Sequence, residues 1–371
     1  MESIYYVLCW HCHRRCKHCY EDRFRPYIRD ELEEVVAEAQ RNAPRIIANL
    51  PASMRYREQL EVDGVVTSVE RIGRIIISGG DVMTEPVRER VLYPTLEAIR
   101  EKFRNEGGVK VVVQTTGDLL TPKIIDELLA LGVWTISVSG MDDYHVGMEG
   151  EKRRKLIADL QAMFAEAGVE NAALFDERRL QMSPDTPLYN MFGATEEVWI
   201  GKLWPRGRAW KNGLSTATLA DNFCNAWSGG LNFLNYGQAG SEISIDPTGD
   251  VYPCCLKTAH PLGNLVDEPL LSILDDLADH PAMRAIDAGA PEKMGEFAGW
   301  SEAKFIEASK TETPDGRAYQ NLCIGCDRFH QEVLGKVLDE RFRARRAKRM
   351  GILARSEPAE ALAATGAKMS S

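Results

Sequence analysis

Three cysteines within eight residues constrain this chain more than any other feature. Cys12, Cys16 and Cys19 form a C-x3-C-x2-C spacing just after the apolar run at 4–8. Three thiolates on one tight loop are an incomplete set for structural zinc, which takes four ligands, typically from two well-separated C-x2-C pairs. A [4Fe–4S] cubane can be held by three cysteines, leaving one iron open to a further ligand. Zinc bound by the three cysteines and one of His11, His13 or His18 stays open as the alternative, with its ligands crowded on one short loop. A disulfide reading is weaker. No basic n-region, long apolar stretch and cleavage site precede the cysteines. The nine thiols are therefore expected to stay reduced, in a cytoplasmic setting where clustered cysteines point to metal.

The 371 residues, 44% apolar and 27% charged, suffice for two domains with their own cores. No apolar stretch approaches the ~20 residues of a membrane span, and a net charge of −10 argues against general nucleic-acid binding. Residues 3–215 read as alternating strands and helices. Strands are expected at 4–8, 74–78, 109–114, 133–139 and 198–203, with a less certain one at 172–175. Helices are expected at 30–50, 86–104, 121–131 and 150–167, with Thr121 as a cap and Gly132 and Gly168 as stops. Residues 51–70 exceed a simple loop and read as an insertion. Repeated strand-then-helix units predict an α/β fold with a parallel sheet covered by helices.

In such folds chemistry gathers at the C-terminal ends of the strands. After the second strand stands Ser78-Gly79-Gly80-Asp81, where two glycines let the backbone approach a ligand and a carboxylate suits a cationic amine. After the third comes Gln114-Thr115-Thr116-Gly117, and after the fourth Ser137-Val138-Ser139-Gly140. Asp142 and His145 follow as candidate proton-handling residues; a solvated loop anchoring the next helix is the plainer alternative.

The cysteine loop and the strand ends together resemble the radical S-adenosylmethionine (radical SAM) enzymes. That resemblance implies a partial (β/α)6 barrel. It also implies a [4Fe–4S] cluster on Cys12, Cys16 and Cys19 whose open iron holds the amino and carboxyl groups of S-adenosylmethionine. His18 takes the position before the third cysteine, usually aromatic in the family, and Ser78-Gly79-Gly80-Asp81 resembles its Gly-Gly-Glu motif with a shorter carboxylate. Gly79, Gly80, Asp81, Thr115, Ser137 and Ser139 become expected cofactor contacts. Reductive cleavage of the cofactor would yield a 5′-deoxyadenosyl radical that removes a hydrogen from a substrate carbon. A low-potential donor such as flavodoxin or ferredoxin would supply the electron.

Beyond residue 215 lie Cys224, the adjacent Cys254 and Cys255, and Cys323-x2-Cys326. Two strand-like pieces flank the turn at 246–249 and predict a hairpin that delivers a cysteine at its end. Gly249-x4-Cys254 and the following Leu262-Gly263-Asn264-Leu265 resemble the SPASM and twitch domains that follow many radical SAM barrels. The resemblance implies a one-cluster auxiliary domain at 216–335, after a barrel at 1–215. A second [4Fe–4S] cluster would sit on Cys224, Cys254, Cys323 and Cys326. Cys255 is the alternative to Cys254, and a zinc ribbon is the alternative to iron. Cys9 and Cys255 are otherwise expected to be small buried residues. A fully thiolate-ligated cluster suits electron transfer, so the implied activity is an oxidoreductase acting on a small polar metabolite. A peptide maturase (cross-linking, epimerisation or oxidation) and a non-catalytic metal-binding adaptor are the other readings. Arg206 and Arg208 are expected to fasten the barrel to the auxiliary domain or to grip an anionic substrate. Residues 341–349 carry six basic side chains and read as a solvated helix within a flexible tail, 336–371.

Overall fold

A computed structural model of the chain describes residues 1–145, 147–172, 186–193, 202–226 and 228–356. In chain order the strands that matter here are β1 (Ser3–Val7), β2 (Arg55–Val62), β3 (Val65–Ile72), β4 (Arg74–Ser78), β5 (Lys110–Thr115) and β6 (Val133–Val138). There follow β7 (Glu170–Asn171), β8 (Leu188–Met191), β9 (Glu242–Ile245), β10 (Asp250–Tyr252) and β11 (Gly263–Asn264). Nine of these make one sheet, ordered β11-β10-β9-β1-β4-β5-β6-β8-β7. Every pairing from β9 across to β7 is parallel, while β10 pairs antiparallel with both β9 and β11.

Strand alternation sorts the side chains into two layers. Ile4, Tyr6, Ile75, Ile77 and Val113 join the large core under the helices. Tyr5, Val7, Ile76 and Val112 turn the other way, against Trp10, Phe24, Trp204, Phe223 and Cys255. Parallel strands covered on both faces need such near-continuous apolar runs. The helices Arg29–Ala48, Tyr93–Phe103, Pro122–Ala130 and Gly150–Glu166 supply the outer layer. Thr121 caps the third as expected, its hydroxyl accepting from Ile124 N at 3.3 Å. A π-turn at Arg88–Leu92 interrupts the helical stretch expected at 86–104.

Residues 51–70 hold most of the β2–β3 hairpin, a separate two-stranded sheet. The strand expected at 172–175 falls almost wholly outside the described residues, as does most of that at 198–203; Lys202 and Leu203 are not in a strand. The fifth strand position is filled instead by β8, with β7 beyond it, so these two stand in reverse chain order. The hairpin predicted around 246–249 is β9–β10, with Gly249 at φ +89° in its turn. It does not stand apart from the barrel: β9 pairs with β1 from Ser3↔Glu242 to Tyr6↔Ile245.

The basic segment at 341–349 is a largely exposed helix, as expected, but one face of it is docked. It lies in the helix Gly335–Ser356, and Arg345 is buried against the auxiliary region. Its guanidinium donates to both oxygens of the fully buried Glu268 (2.9 and 3.0 Å), to Asp276 Oδ2 (2.7 Å) and to Leu262 O (3.0 Å). Arg349 adds a 2.6 Å bond to Glu268 Oε2. Among the described residues no helix is long and apolar enough to cross a membrane.

Candidate active site and cysteine centres

The cysteine loop leaves β1 and is held from two sides. Beneath it, Gly80 N donates to Cys9 O (3.1 Å) and Asp81 N to His11 O (3.0 Å). Above it, Arg208 N and Ala209 N both donate to Cys19 O (2.8 and 3.1 Å), and Arg208 Nε donates to Cys16 O at 2.8 Å. A third clamp joins the loop to the end of β5, where Asp118 Oδ2 meets His13 Nε2 at 2.9 Å and accepts from Arg14 Nη2 at 2.6 Å. The Gly-Gly pair is needed for this docking. A Cβ on Gly80 would stand 2.2 Å from His11 O and 2.6 Å from Cys12 Cβ.

Cys12, Cys16 and Cys19 line one wall of a cavity of about 190 Å3, with Gly79, Gly80, Thr115, Ser139 and Gly140 on the same lining. Two predicted contacts need correction. Asp81 is not on the cavity lining, because its carboxylate is already filled. Oδ1 accepts from Met83 N (3.0 Å) and Thr115 Oγ1 (3.0 Å), while Oδ2 accepts from Thr116 N (3.2 Å) and Thr116 Oγ1 (2.6 Å). It knots β4 to β5 instead of reaching a ligand. Ser137 likewise turns away, donating to Asn190 Oδ1 at 2.5 Å; Ser139 lies on the lining, two residues further along the chain.

Asp142 and His145 do reach the cavity. Asp142 Oδ1 lies 2.8 Å from His145 Nδ1 and accepts from Tyr144 N at 2.9 Å. The His145 ring stands edge-on to His18, with centroids 4.6 Å apart. Burial is the main cause holding the His18 ring down to about 4, with His145 adding to it, so His18 is a neutral aromatic surface at neutral pH. Facing the cysteine loop, Tyr5, Tyr20, Phe24, Trp204 and Phe223 give the cavity an aromatic wall.

The second cysteine set converges on its own cavity, lined by Cys224, Cys254, Cys323 and Cys326. Cys254 and Cys255, in the bend and turn that follow β10, face different cavities. Cys254 lines this second cavity and Cys255 the first. Cys9 is buried in the core, as expected of it, whereas Cys255 has a cavity face. Two positioning residues escaped the sequence reading, Asn222 and Asn321. Each stands two residues before a cysteine and accepts from its backbone N–H, Cys224 N at 3.0 Å and Cys323 N at 2.9 Å. The repeated Asn-x-Cys was the available signal. Both sites fit thiolate-bound clusters by their donors. The first offers the three loop sulfurs beside an open cavity, with Cys255 also on its lining; the second offers four and has no carboxylate or imidazole on its lining. Burial pushes the thiols up, Cys12 and Cys254 to about 12. Loading a metal therefore releases protons.

The SPASM family, described as an iron–sulfur cluster-binding domain, matches residues 238–293, which hold Gly249, Cys254 and Cys255. An AdoMet-dependent heme synthase of Methanosarcina barkeri (strain Fusaro / DSM 804) is 38% identical over 82 residues, 21% of this chain and 21% of that relative's length. The chain thus carries a SPASM-type segment and is similar in part to an AdoMet-dependent enzyme. The matched family is described as binding an iron–sulfur cluster, and the heme synthase as AdoMet-dependent. The match to the heme synthase spans only about a fifth of that relative. Among solved structures, anSMEcpe with bound AdoMet has a TM-score of 0.42 at 13% identity, over 91% of this chain and 94% of that one. BtrN in complex with AdoMet and 2-DOIA has a TM-score of 0.39 at 13% identity, over 81% and 92%. SuiB of Streptococcus suis bound to S-adenosylmethionine has 0.37 at 12%, over 77% and 67%.

Proposed function

We propose that this chain is a radical SAM oxidoreductase, with its first cluster on Cys12, Cys16 and Cys19 and an auxiliary cluster on Cys224, Cys254, Cys323 and Cys326. One observation carries the reading: the three-cysteine wall, the Gly79–Gly80 turn and Cys255 share a single cavity, and Cys255 is covalently next to Cys254 of the four-cysteine set. When bound, S-adenosylmethionine and its cluster supply a radical that takes a hydrogen atom from a substrate carbon.

The chain's own residues hold and shield that chemistry. Gly79, Gly80, Thr115 and Ser139 form the cofactor side of the cavity. Asp81 acts as a positioning residue through Thr115 and Thr116. The aromatic wall excludes water that would quench a radical. Asp142 orients His145 by the 2.8 Å contact at Nδ1, leaving Nε2 to hold or pass a substrate proton. A small polar substrate suits a cavity of this size, with Gln114 and the Asp142–His145 pair as its polar contacts. The four-thiolate set would accept the electron that makes the net change an oxidation. We place the reaction in the cytoplasm, with flavodoxin or ferredoxin as donor.

The test is anaerobic reconstitution with iron, sulfide and S-adenosylmethionine under dithionite. The wild type should release 5′-deoxyadenosine, and a Cys12/Cys16/Cys19→Ala triple variant should release none. With a substrate deuterated at the reacting carbon, one deuterium should appear in 5′-deoxyadenosine. A reconstituted, iron-replete wild type that yields no 5′-deoxyadenosine would establish a non-catalytic adaptor instead.

A further inference from the structure

Two arginines separated by one glycine reach the two cysteine sites. Gly207 makes the bend between them with φ +52°, and a Cβ there would stand 2.3 Å from Tyr20 C, so only glycine fits this turn. Arg208 runs to the first loop, bonding the Cys16 carbonyl. Arg206 runs the other way and lines the second cavity with its four cysteines. Its Nη2 donates to Asp327 Oδ1 at 2.9 Å and to Cys323 O at 3.4 Å, and its Nη1 lies 2.9 Å from Asp327 Oδ2. Asp327 directly follows Cys326. The guanidinium is 13% exposed and the carboxylate 29%, so solvent screens neither fully.

We propose that the Arg206–Asp327 pair sets the reduction potential of the auxiliary centre, Arg206 raising it and Asp327 lowering it. The inference rests on the proposed reading that the four cysteines hold an iron–sulfur cluster. Reducing a cluster adds one negative charge inside a low-dielectric pocket. A fixed cation on the pocket wall stabilises that added charge, and a fixed anion opposes it. Arginine is suited to the task because it keeps its charge when buried and its planar fork engages a carboxylate at two points. Asp327 orients the fork and offsets part of its charge. Exchanging either partner should therefore move the potential, and in opposite directions. A merely structural clasp has no reason to give opposite signs.

The experiment is an EPR-monitored redox titration of the full-length reconstituted chain, run beside iron and zinc analysis. The Cys12/Cys16/Cys19→Ala background serves as a second measurement in which the auxiliary centre alone titrates. R206Q should shift the auxiliary midpoint negative, D327N should shift it positive, and R206K should stay near wild type. The midpoint of the first cluster should be unmoved in all three. If R206Q fails to load iron, D327N and R206K still decide the sign. Iron-replete variants that titrate at the wild-type potential, or shift together in one direction, overturn the inference while leaving the proposed function standing. Zinc in the second site overturns both.

Discussion

Gly80→Ala tests how the strand ends support the cysteine loop. The added methyl group would lie 2.2 Å from His11 O, 2.5 Å from His11 C and 2.6 Å from Cys12 Cβ, where ordinary contact begins near 3.4 Å. The overlap is about 1.2 Å against backbone, so no side-chain rotation relieves it. The cysteine loop must lift, and lifting it breaks the Gly80 N–Cys9 O and Asp81 N–His11 O bonds. Overpacking of this kind costs about 1–3 kcal/mol, and a ~1 Å misplacement of reacting groups can cost ~100-fold in rate. The variant should stay folded, lose most of the iron of the first site, and cleave S-adenosylmethionine roughly 100-fold more slowly. Gly79→Ala should be milder, because its closest backbone contact is Cys9 O at 2.9 Å. Circular dichroism, iron and sulfide analysis and a 5′-deoxyadenosine assay read these outcomes. A Gly80→Ala protein with full iron and wild-type cleavage would refute the docking argument.

Two cubanes predict roughly eight irons per reconstituted chain, and Cys323→Ala with Cys326→Ala should leave roughly four with some cofactor cleavage but little product. About four irons and one zinc in the wild type would refute the second cluster. Arg345→Met strands the buried Glu268 carboxylate with Arg349 as its remaining salt-bridge partner and should destabilise the fold by roughly 3–5 kcal/mol; an unchanged urea midpoint would count against the clasp. His330 is fully buried with neither ring nitrogen partnered among the described residues, and burial, more than His260 or Arg206, holds it down to about 3. Its folded pKa lies below the unfolded value of 6.5, so its stability contribution is full above 6.5 and drains as pH falls toward 3. Between pH 7 and 5 the wild type should lose about 2 kcal/mol more than His330→Leu; parallel pH profiles in urea unfolding would be the contrary result.

Local signals carried far in this chain. The run at 74–78 is β-branched and became β4 with the predicted ends, and the Asp246-Pro-Thr-Gly249 turn became the β9–β10 hairpin. Spacing also brought each cysteine set to one place. What spacing does not encode is the side to which a residue turns once its neighbours compete for it. Asp81 stands in the expected position, yet two threonine hydroxyls and two backbone amides claim its oxygens. Ser137 and Ser139 differ in the same way, one bonded to Asn190 and the other on the cavity lining. The docked face of the basic helix escaped for a different reason. Counting charges hid the i, i+4 spacing of Arg341, Arg345 and Arg349, which puts three guanidiniums on one face and aims them at Glu268 and Asp276.

The pairing of β1 with β9 bears on how the chain comes to be built. Ser3 meets Glu242 across 239 positions of sequence. During synthesis β1 emerges some two hundred residues before the strand that covers its flank. Until then one border of the sheet offers bare N–H and C=O groups to any passing extended segment. Closure over so long a loop is slow, and a nascent chain in that state is exposed to aggregation. Truncation before residue 242 should therefore yield an insoluble remnant, not a smaller folded protein. A strand made late completes one made long before it.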